Sequence, residues 1–356
     1  MKILLFIDNL GAGGAQRQLV GLAVMLKQQN YDVKVCTYYP HDFYKTYLDE
    51  NNVQNEIILG ADNAKRRIFV VRSYFKKEQP DWVIAYQETP SLVACAAKAL
   101  GCNYKLLVSE RNTTQKIGMN ERVRFQLYRF ANAIVPNSYS QEQYLIEHHS
   151  WMKRKISTIT NFVDLEKFYA VGHIRRDIPE IVVAASLKHS KNALRFIEAC
   201  SLLKQMNIKF HVSWYGISPE WPDYYQQCLD LIKNYRLDGH VSILEKTQQI
   251  AEKYRECDYF CLPSLFEGTP NVICEAISTG VPVMCSNICD NPHYVHAGEN
   301  GILFDPLSPE DIADKMNQLL SQPESEYQEF RTASRMIAEE KLSCNLFIAK
   351  YLSILQ

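Results

Sequence analysis

The chain has 356 residues, 47% of them apolar and 22% charged, which is too long for one ordinary core and suits two domains. No run of about 18 uncharged apolar residues is present, so no membrane-spanning helix is expected, and a formal net charge of −1 without recognition motifs argues against nucleic-acid binding. That balance hides an asymmetry: Met1–Ala170 carries 22 Lys and Arg against 16 Asp and Glu, a net of +6, whereas the remainder carries 17 against 24, a net of −7, so the N-terminal half is the one suited to an anionic surface.

The first strand-like run, KILLFID, is short, ends in an acid and leads straight into Gly11, unlike a signal peptide. Further strands are expected at Asp32–Thr37, Trp82–Tyr86, Lys105–Val108, Ala133–Pro136 and Ile156–Thr160, with helices between them such as Gln16–Gln28 and Ser91–Leu100. The second half repeats the plan at Ile181–Ala185, Phe210–Tyr215, Val241–Leu244, Tyr259–Leu262, Val281–Cys285 and Gly301–Phe304. This alternation reads as an α/β protein of two doubly wound, Rossmann-like domains, 1–165 and 178–325, facing across a cleft, with a polar linker at Asp164–Pro179 and a final helix in 326–356. Ligands of such sheets lie beyond the carboxyl ends of the strands. The 11 cysteines are scattered through apolar segments and read as reduced, packed thiols. Zinc is not favoured at Cys257/Cys261 or Cys285/Cys289, because Cys257 and Cys261 flank strand-like DYF and no histidines cluster nearby.

After the first strand comes NLGAGGAQRQLVGLA, where Gly11, Gly13 and Gly14 permit a sharp turn and the following helix start offers free N–H groups to an anion. A dinucleotide site would need a third glycine where Gln16 stands and an acid at the end of the second strand, which closes Cys36-Thr37-Tyr38-Tyr39; NAD is therefore not expected. A tight turn without a ligand stays open from these residues alone.

The stretch FEGTPNVICE holds two acids, Glu267 and Glu275, around a Gly-Thr-Pro-Asn turn. Thr269 is expected as N-cap, Pro270 as first helical residue, and Gly280 before Val281-Pro282 as the stop. The N–H groups of Asn271, Val272 and Ile273 would then form an anion site. Two carboxylates beside a bare phosphate would repel it. They fit a phosphate with hydroxylated groups on both sides, one acid taking ribose hydroxyls and the other a sugar's, as in a nucleotide-diphosphate sugar. The plainer alternative is a capped helix whose acids favour its dipole.

With these residues on the page, the chain resembles, nearly end to end, the retaining GT-B-fold glycosyltransferases of family 4. The resemblance rests on E-x7-E (Glu267 to Glu275), the glycine-rich first loop GAGGAQ, Ala131-Asn132-Ala133 to Asn137-Ser138, Asn161-Phe162-Val163-Asp164, and Glu299 to Pro306. It implies that Glu275 holds the donor ribose and that Glu267 lies near the transferred sugar. Gly268, Thr269, Pro270, Asn271, Val272 and Ile273 would face the sugar and diphosphate, with Gly13 and Gly14 completing that pocket. Glu110 and Arg111 would lie on the acceptor or sugar side, and the base near Gly216 and Lys246-Thr247. The family's diphosphate-binding Arg and Lys are matched only in part: Lys191 stands in the lysine place, Ser186 where the arginine is expected. The implied chemistry is metal-independent transfer from a UDP-linked sugar, with Lys191 stabilising the departing diphosphate and no cofactor. No D-x-D pair occurs in the chain. The last helix would cross back to the first domain.

Two basic-aromatic runs, Lys65–Trp82 and Arg122–Arg129, suit peripheral docking on anionic lipid or, alternatively, two ordinary solvated helices. The expected setting is therefore the cytoplasm, at the inner face of the membrane, with a glycan or lipid-linked saccharide acceptor in surface polysaccharide assembly. A sugar-nucleotide epimerase of the same architecture and a non-catalytic sugar-nucleotide-binding protein remain as alternatives, the latter because of Ser186.

Overall fold

A computed structural model describes residues 1–112 and 118–356. The chain divides into two compact units, one made of Met1–Asn161 with Asn345–Gln356 and the other of Phe162–Cys344.

The first unit is built on six parallel strands: β1 (Lys2–Phe6), β2 (Asp32–Thr37), β3 (Gln54–Ile57), β4 (Trp82–Tyr86), β5 (Lys105–Glu110) and β6 (Ala133–Pro136). They lie side by side in the order β3-β2-β1-β4-β5-β6. β1 and β4 are buried along almost their whole length, as strands covered by helices on both faces must be, which is why they read as continuous apolar runs. Phe6 and Phe75 meet edge-on at 5.4 Å, and Phe75 meets Tyr104 at 5.5 Å, filling the space between sheet and helices. β3 was not anticipated: QNEI is polar, and as a mostly exposed edge strand it carries no apolar signature. Conversely, Ile156–Thr160 forms no strand. It runs beside β6 through Ser157 N–H to Ile134 O (3.0 Å) and Ile159 N–H to Pro136 O (3.1 Å), with one isolated bridge rather than a ladder.

The second unit repeats the plan with β7 (Glu180–Ala184), β8 (His211–Tyr215), β9 (Val241–Leu244), β10 (Tyr259–Leu262), β11 (Val283–Ser286) and β12 (Gly301–Phe304), in the order β12-β11-β10-β7-β8-β9. Trp214, Phe196, Tyr254 and Phe260 are buried large side chains of its core. The segment read as a linker is fastened onto this unit. Asp258, wholly buried, accepts from the Arg176 and Glu180 N–H groups at 3.0 and 2.7 Å and meets His173 at 2.8 Å.

The expected final helix is two helices, Glu324–Leu342 and Cys344–Leu355. Ser343 leaves the helical region (φ −64°, ψ 146°), and the Leu342 carbonyl accepts from Val163 N–H at 2.9 Å. From Asn345 onward the chain belongs to the first unit, where the Tyr351 hydroxyl bonds that of Tyr86 at 2.6 Å. Among the described residues no helix is long and apolar enough to cross a membrane.

Strand order fixes where each unit can hold a ligand. In the first sheet the chain runs outward from β1 to β3, then returns to start again at β4; in the second it runs from β7 to β9 and returns at β10. The two switch points, β1/β4 and β7/β10, leave crevices at the carboxyl edge that no connecting helix covers.

Candidate active site

In the second unit, Lys191 sits on the short helical turn His189–Lys191 after β7, and Glu267 on the loop after β10. These are the two strands of the switch point, and the side chains form an ion pair there, each largely buried. The backbone ties the same elements, with Leu265 N–H donating to Ser190 O at 2.9 Å. On the far side of the loop the Cys289 thiol receives the Glu267 backbone N–H, in a residue whose φ of 46° is left-handed. Burial pushes that thiol above its ordinary range, as it does Cys285, so both serve as packing rather than as reactive groups. Sequence spacing alone had not connected either cysteine to Glu267.

The helix after this loop runs Asn271–Ser278, one residue later than expected. Pro270, not Thr269, occupies the N-cap, because its ψ of 77° lies outside the helical range; Thr269, just before it, is buried. The Asn271 N–H is turned back onto Thr269 O at 2.9 Å, so it is not presented to an anion as expected. Val272 and Ile273 are left as the first-turn positions whose N–H groups have no acceptor within the helix. Ile273, Cys274, Ala276 and Ile277 bury the inner face, and Gly280, at φ 75°, ends the helix as expected. Glu275 is in the second turn and only 6% exposed.

Gly216, at the end of β8, lies against the backbone that follows β7: a Cβ there would overlap the Ala185 carbonyl, while the Gly216 carbonyl accepts from Leu187 N–H at 2.7 Å. Gly216 is thus required by packing, and it fixes the strand end that carries Ser186. Lys188, two residues on, has no ion pair or hydrogen bond from its ammonium group among the described residues.

The first unit places its expected residues on its own carboxyl edge. Gly13 is the N-cap of the helix Gly14–Gln28, and a Cβ on Gly13 would collide with the Gln16 amide. Glu110, at the end of β5, is fully buried and held by the Tyr128 hydroxyl and by Arg124 at 3.3 Å. Its carboxylate is enclosed within the unit, where these bonds fix the strand end. Arg111 bonds Asn161 and, at 3.3 Å, Ser109, and its guanidinium lies 4.6 Å over the Tyr86 ring. Asp8, the acid that closes KILLFID and was not among the expected site residues, lies two residues beyond the end of β1. Burial raises its carboxyl above the ordinary value although Asn9 N–H (2.7 Å) and the Gln16 amide (3.3 Å) both donate to it. An acid between a central strand and a glycine-rich turn was the available signal.

The basic runs are partly spent on structure. Arg67 is buried, donating to Ala61 O (2.6 Å) and the Tyr39 hydroxyl (2.8 Å), and Arg124 is committed to Glu110 and Glu88. Lys65, Arg66, Lys76 and Lys77 remain exposed, with Phe69 among them.

Two doubly wound six-stranded sheets, one bearing an acid–lysine pair at its switch point and a second acid inside the adjoining helix, define a GT-B-type protein. The chain belongs to the glycosyltransferases: residues 12–167 match Glycosyltransferase Family 4 and residues 166–336 match Glycosyl transferases group 1. It is similar to a Campylobacter jejuni N-acetylgalactosamine-N,N'-diacetylbacillosaminyl-diphospho-undecaprenol 4-alpha-N-acetylgalactosaminyltransferase, 23% identical over 80% of both chains. It is also similar to the amylovoran biosynthesis glycosyltransferase AmsD of Erwinia amylovora, 22% identical over 90% of both. The structure of Anabaena HepE in complex with UDP superposes with a TM-score of 0.87 at 18% identity, covering 100% of this chain and 99% of that one.

Proposed function

We propose that the protein transfers a sugar, with retention, from a UDP-linked donor to a lipid-linked or glycan acceptor in surface polysaccharide assembly. The Lys191–Glu267 pair at the β7/β10 switch point carries this reading. Lys191 and the N–H groups of Val272 and Ile273 receive the diphosphate and stabilise the charge that grows on it as the bond from the anomeric carbon to phosphate oxygen breaks. The acceptor oxygen bonds to the anomeric carbon from the same face, and its proton passes to the departing phosphate. Glu275 accepts the ribose hydroxyls. Glu267, once Lys191 turns to the phosphate, orients the sugar hydroxyls and steadies positive charge at the anomeric carbon. Lys188 supplies the second positive charge that Ser186 lacks, though as a point charge rather than a fork. No metal is required.

UDP is supported by the HepE complex, and a lipid-linked acceptor by the name of the Campylobacter relative. The exposed Lys65, Arg66, Phe69, Lys76 and Lys77 support docking on anionic lipid, where each basic residue contributes about 1 kcal/mol. Thermal shift with UDP, GDP, their sugars and NAD tests the donor. Saturating ligand stabilises by about 2.7 kcal/mol at 100 times its dissociation constant, and a shift with UDP alone, insensitive to EDTA, is expected. No shift with any nucleotide would favour a degenerate protein marked by Ser186, and conversion of the donor sugar without acceptor would favour an epimerase. Failure to float with anionic liposomes at low salt would remove the membrane step.

A further inference from the structure

The first sheet has its own switch point, between β1 and β4, and two polar side chains meet there that the reading above leaves unused. Asp8 follows β1 and Gln87 follows β4. With its amide nitrogen turned toward the carboxylate, Gln87 donates to both Asp8 oxygens, at 2.9 and 3.3 Å. A second amide, from the 7%-exposed Gln16, reaches Asp8 at 3.3 Å. The Asp8 backbone is pinned as well, its carbonyl accepting from Tyr38 and Tyr39 N–H at 3.1 and 2.9 Å.

Gln87 holds this place in an unusual conformation. Its φ of 74° and ψ of 171° lie in a region that glycine adopts freely and side chains with a Cβ rarely do. A glycine would relieve the backbone, so a glutamine kept there points to a use for its amide. Asp8 and Gln87 remain partly exposed, which leaves acceptor and donor positions open at the crevice. A carboxylate flanked by two primary amides offers alternating acceptors and donors, the pattern that reads adjacent hydroxyls on a neutral sugar. The same negative charge disfavours a diphosphate at this spot.

We infer that Asp8, Gln87 and Gln16 form a saccharide subsite that binds vicinal hydroxyls of the acceptor's terminal sugar. The inference rests on the proposed function in one respect, since it assigns the donor to the second unit and leaves this crevice for the acceptor. Asp8 and Gln87 are then specificity residues, selecting hydroxyl orientation and not the lipid or phosphate portion.

Saturation-transfer NMR on the full chain tests this with free glucose, galactose, N-acetylglucosamine and N-acetylgalactosamine, each with and without UDP. At least one sugar is expected to bind, and Asp8→Asn is expected to weaken it by about tenfold or more. Gln87→Gly separates binding from folding: it should weaken the same sugar while raising the melting temperature, whereas a merely structural glutamine would leave sugar binding unchanged. UDP affinity, measured by calorimetry, should not change in either variant. Absence of binding by all four sugars to the wild-type chain overturns the proposal. So does sugar affinity unaltered in both variants, or UDP affinity falling in parallel with sugar affinity. If UDP fails to bind the wild-type chain, the donor reading falls, but the titrations without UDP still decide the role of Asp8.

Discussion

Lys191 and Glu267, 76 positions apart in sequence, close an ion pair over the switch point of the second sheet, with side-chain exposures of 17% and 12%. A diphosphate arriving there must draw the ammonium away from a carboxylate that already neutralises it. On the proposed function the pair opposes nucleotide binding and supports transfer, two effects that substitutions separate. Lys191→Ala removes the cation and leaves an unpaired acid facing the phosphate, so UDP affinity should fall by about 10- to 100-fold. Glu267→Gln removes the competitor, so UDP should bind as well or better while sugar transfer is lost by a factor of about 100 or more. Calorimetry with UDP alone reads both. Weakening of UDP by Glu267→Gln to the extent seen with Lys191→Ala would show that the pair is simply structural.

Glu275 is tested by comparing two ligands that differ by a nucleoside. On the proposed function two ribose hydroxyls donate to its carboxylate, so Glu275→Ala should weaken UDP by about tenfold or more. Inorganic pyrophosphate, which has no ribose, should bind wild type and variant alike. Loss of pyrophosphate binding would place Glu275 at the phosphate or in the helix's own stability, and equal UDP binding would remove it from the site.

Much of this arrangement was legible because parallel strands announce themselves. Among the described residues, eleven of twelve strands lie in apolar runs that the sequence marks, and β3 does not, because an exposed edge strand such as QNEI has no need of apolar residues. Ile156–Thr160 misled for the opposite reason: its isoleucines are apolar because they pack beside β6, not because they pair in a ladder. In the candidate site, E-x7-E gave the loop and helix, yet Pro270 shifted the cap by one residue through its ψ, which composition does not encode. The Lys191–Glu267 contact depends on strand order, and that is set by the chain's return from β9 to β10. Asp8 and Gln87 are similarly invisible as a pair until β1 and β4 are known to be neighbours.

Asp8 should also make stability depend on pH. Burial holds its carboxyl above the ordinary value, against bonds from Asn9 and Gln16 and the nearby His41, so the folded chain favours its protonated form. The sign follows: the ionised group lowers stability at pH values above the raised value, and this deficit fades as pH falls toward the ordinary carboxylate value of about 4. Asp8→Asn keeps an acceptor for Asn9 N–H, and the Gln87 amide can turn to suit it. The variant should therefore melt about 1–2 °C above wild type at pH 7, with the gap closing on acidification. A difference independent of pH, or a less stable variant at pH 7, would contradict the assigned burial effect.

Tyr86 and Tyr351 give the last prediction, because their mutual hydroxyl bond at 2.6 Å joins the C-terminal helix to the strand beneath Arg111. Both hydroxyls are buried, and burial raises Tyr86 well above the ordinary tyrosine range and Tyr351 above it too, so each is present as a neutral phenol. Tyr351→Phe leaves the Tyr86 hydroxyl without this partner and should cost about 1–3 kcal/mol; Tyr86→Phe should cost a similar amount for the same reason. Removing both hydroxyls leaves neither stranded, so the double variant should be less destabilised than the sum of the two, and close to wild type. Chemical denaturation of the four proteins closes the cycle. Additive losses would mean that the two hydroxyls stabilise the unit independently, through Ser109 or through packing, and that their bond does not hold the helix in place.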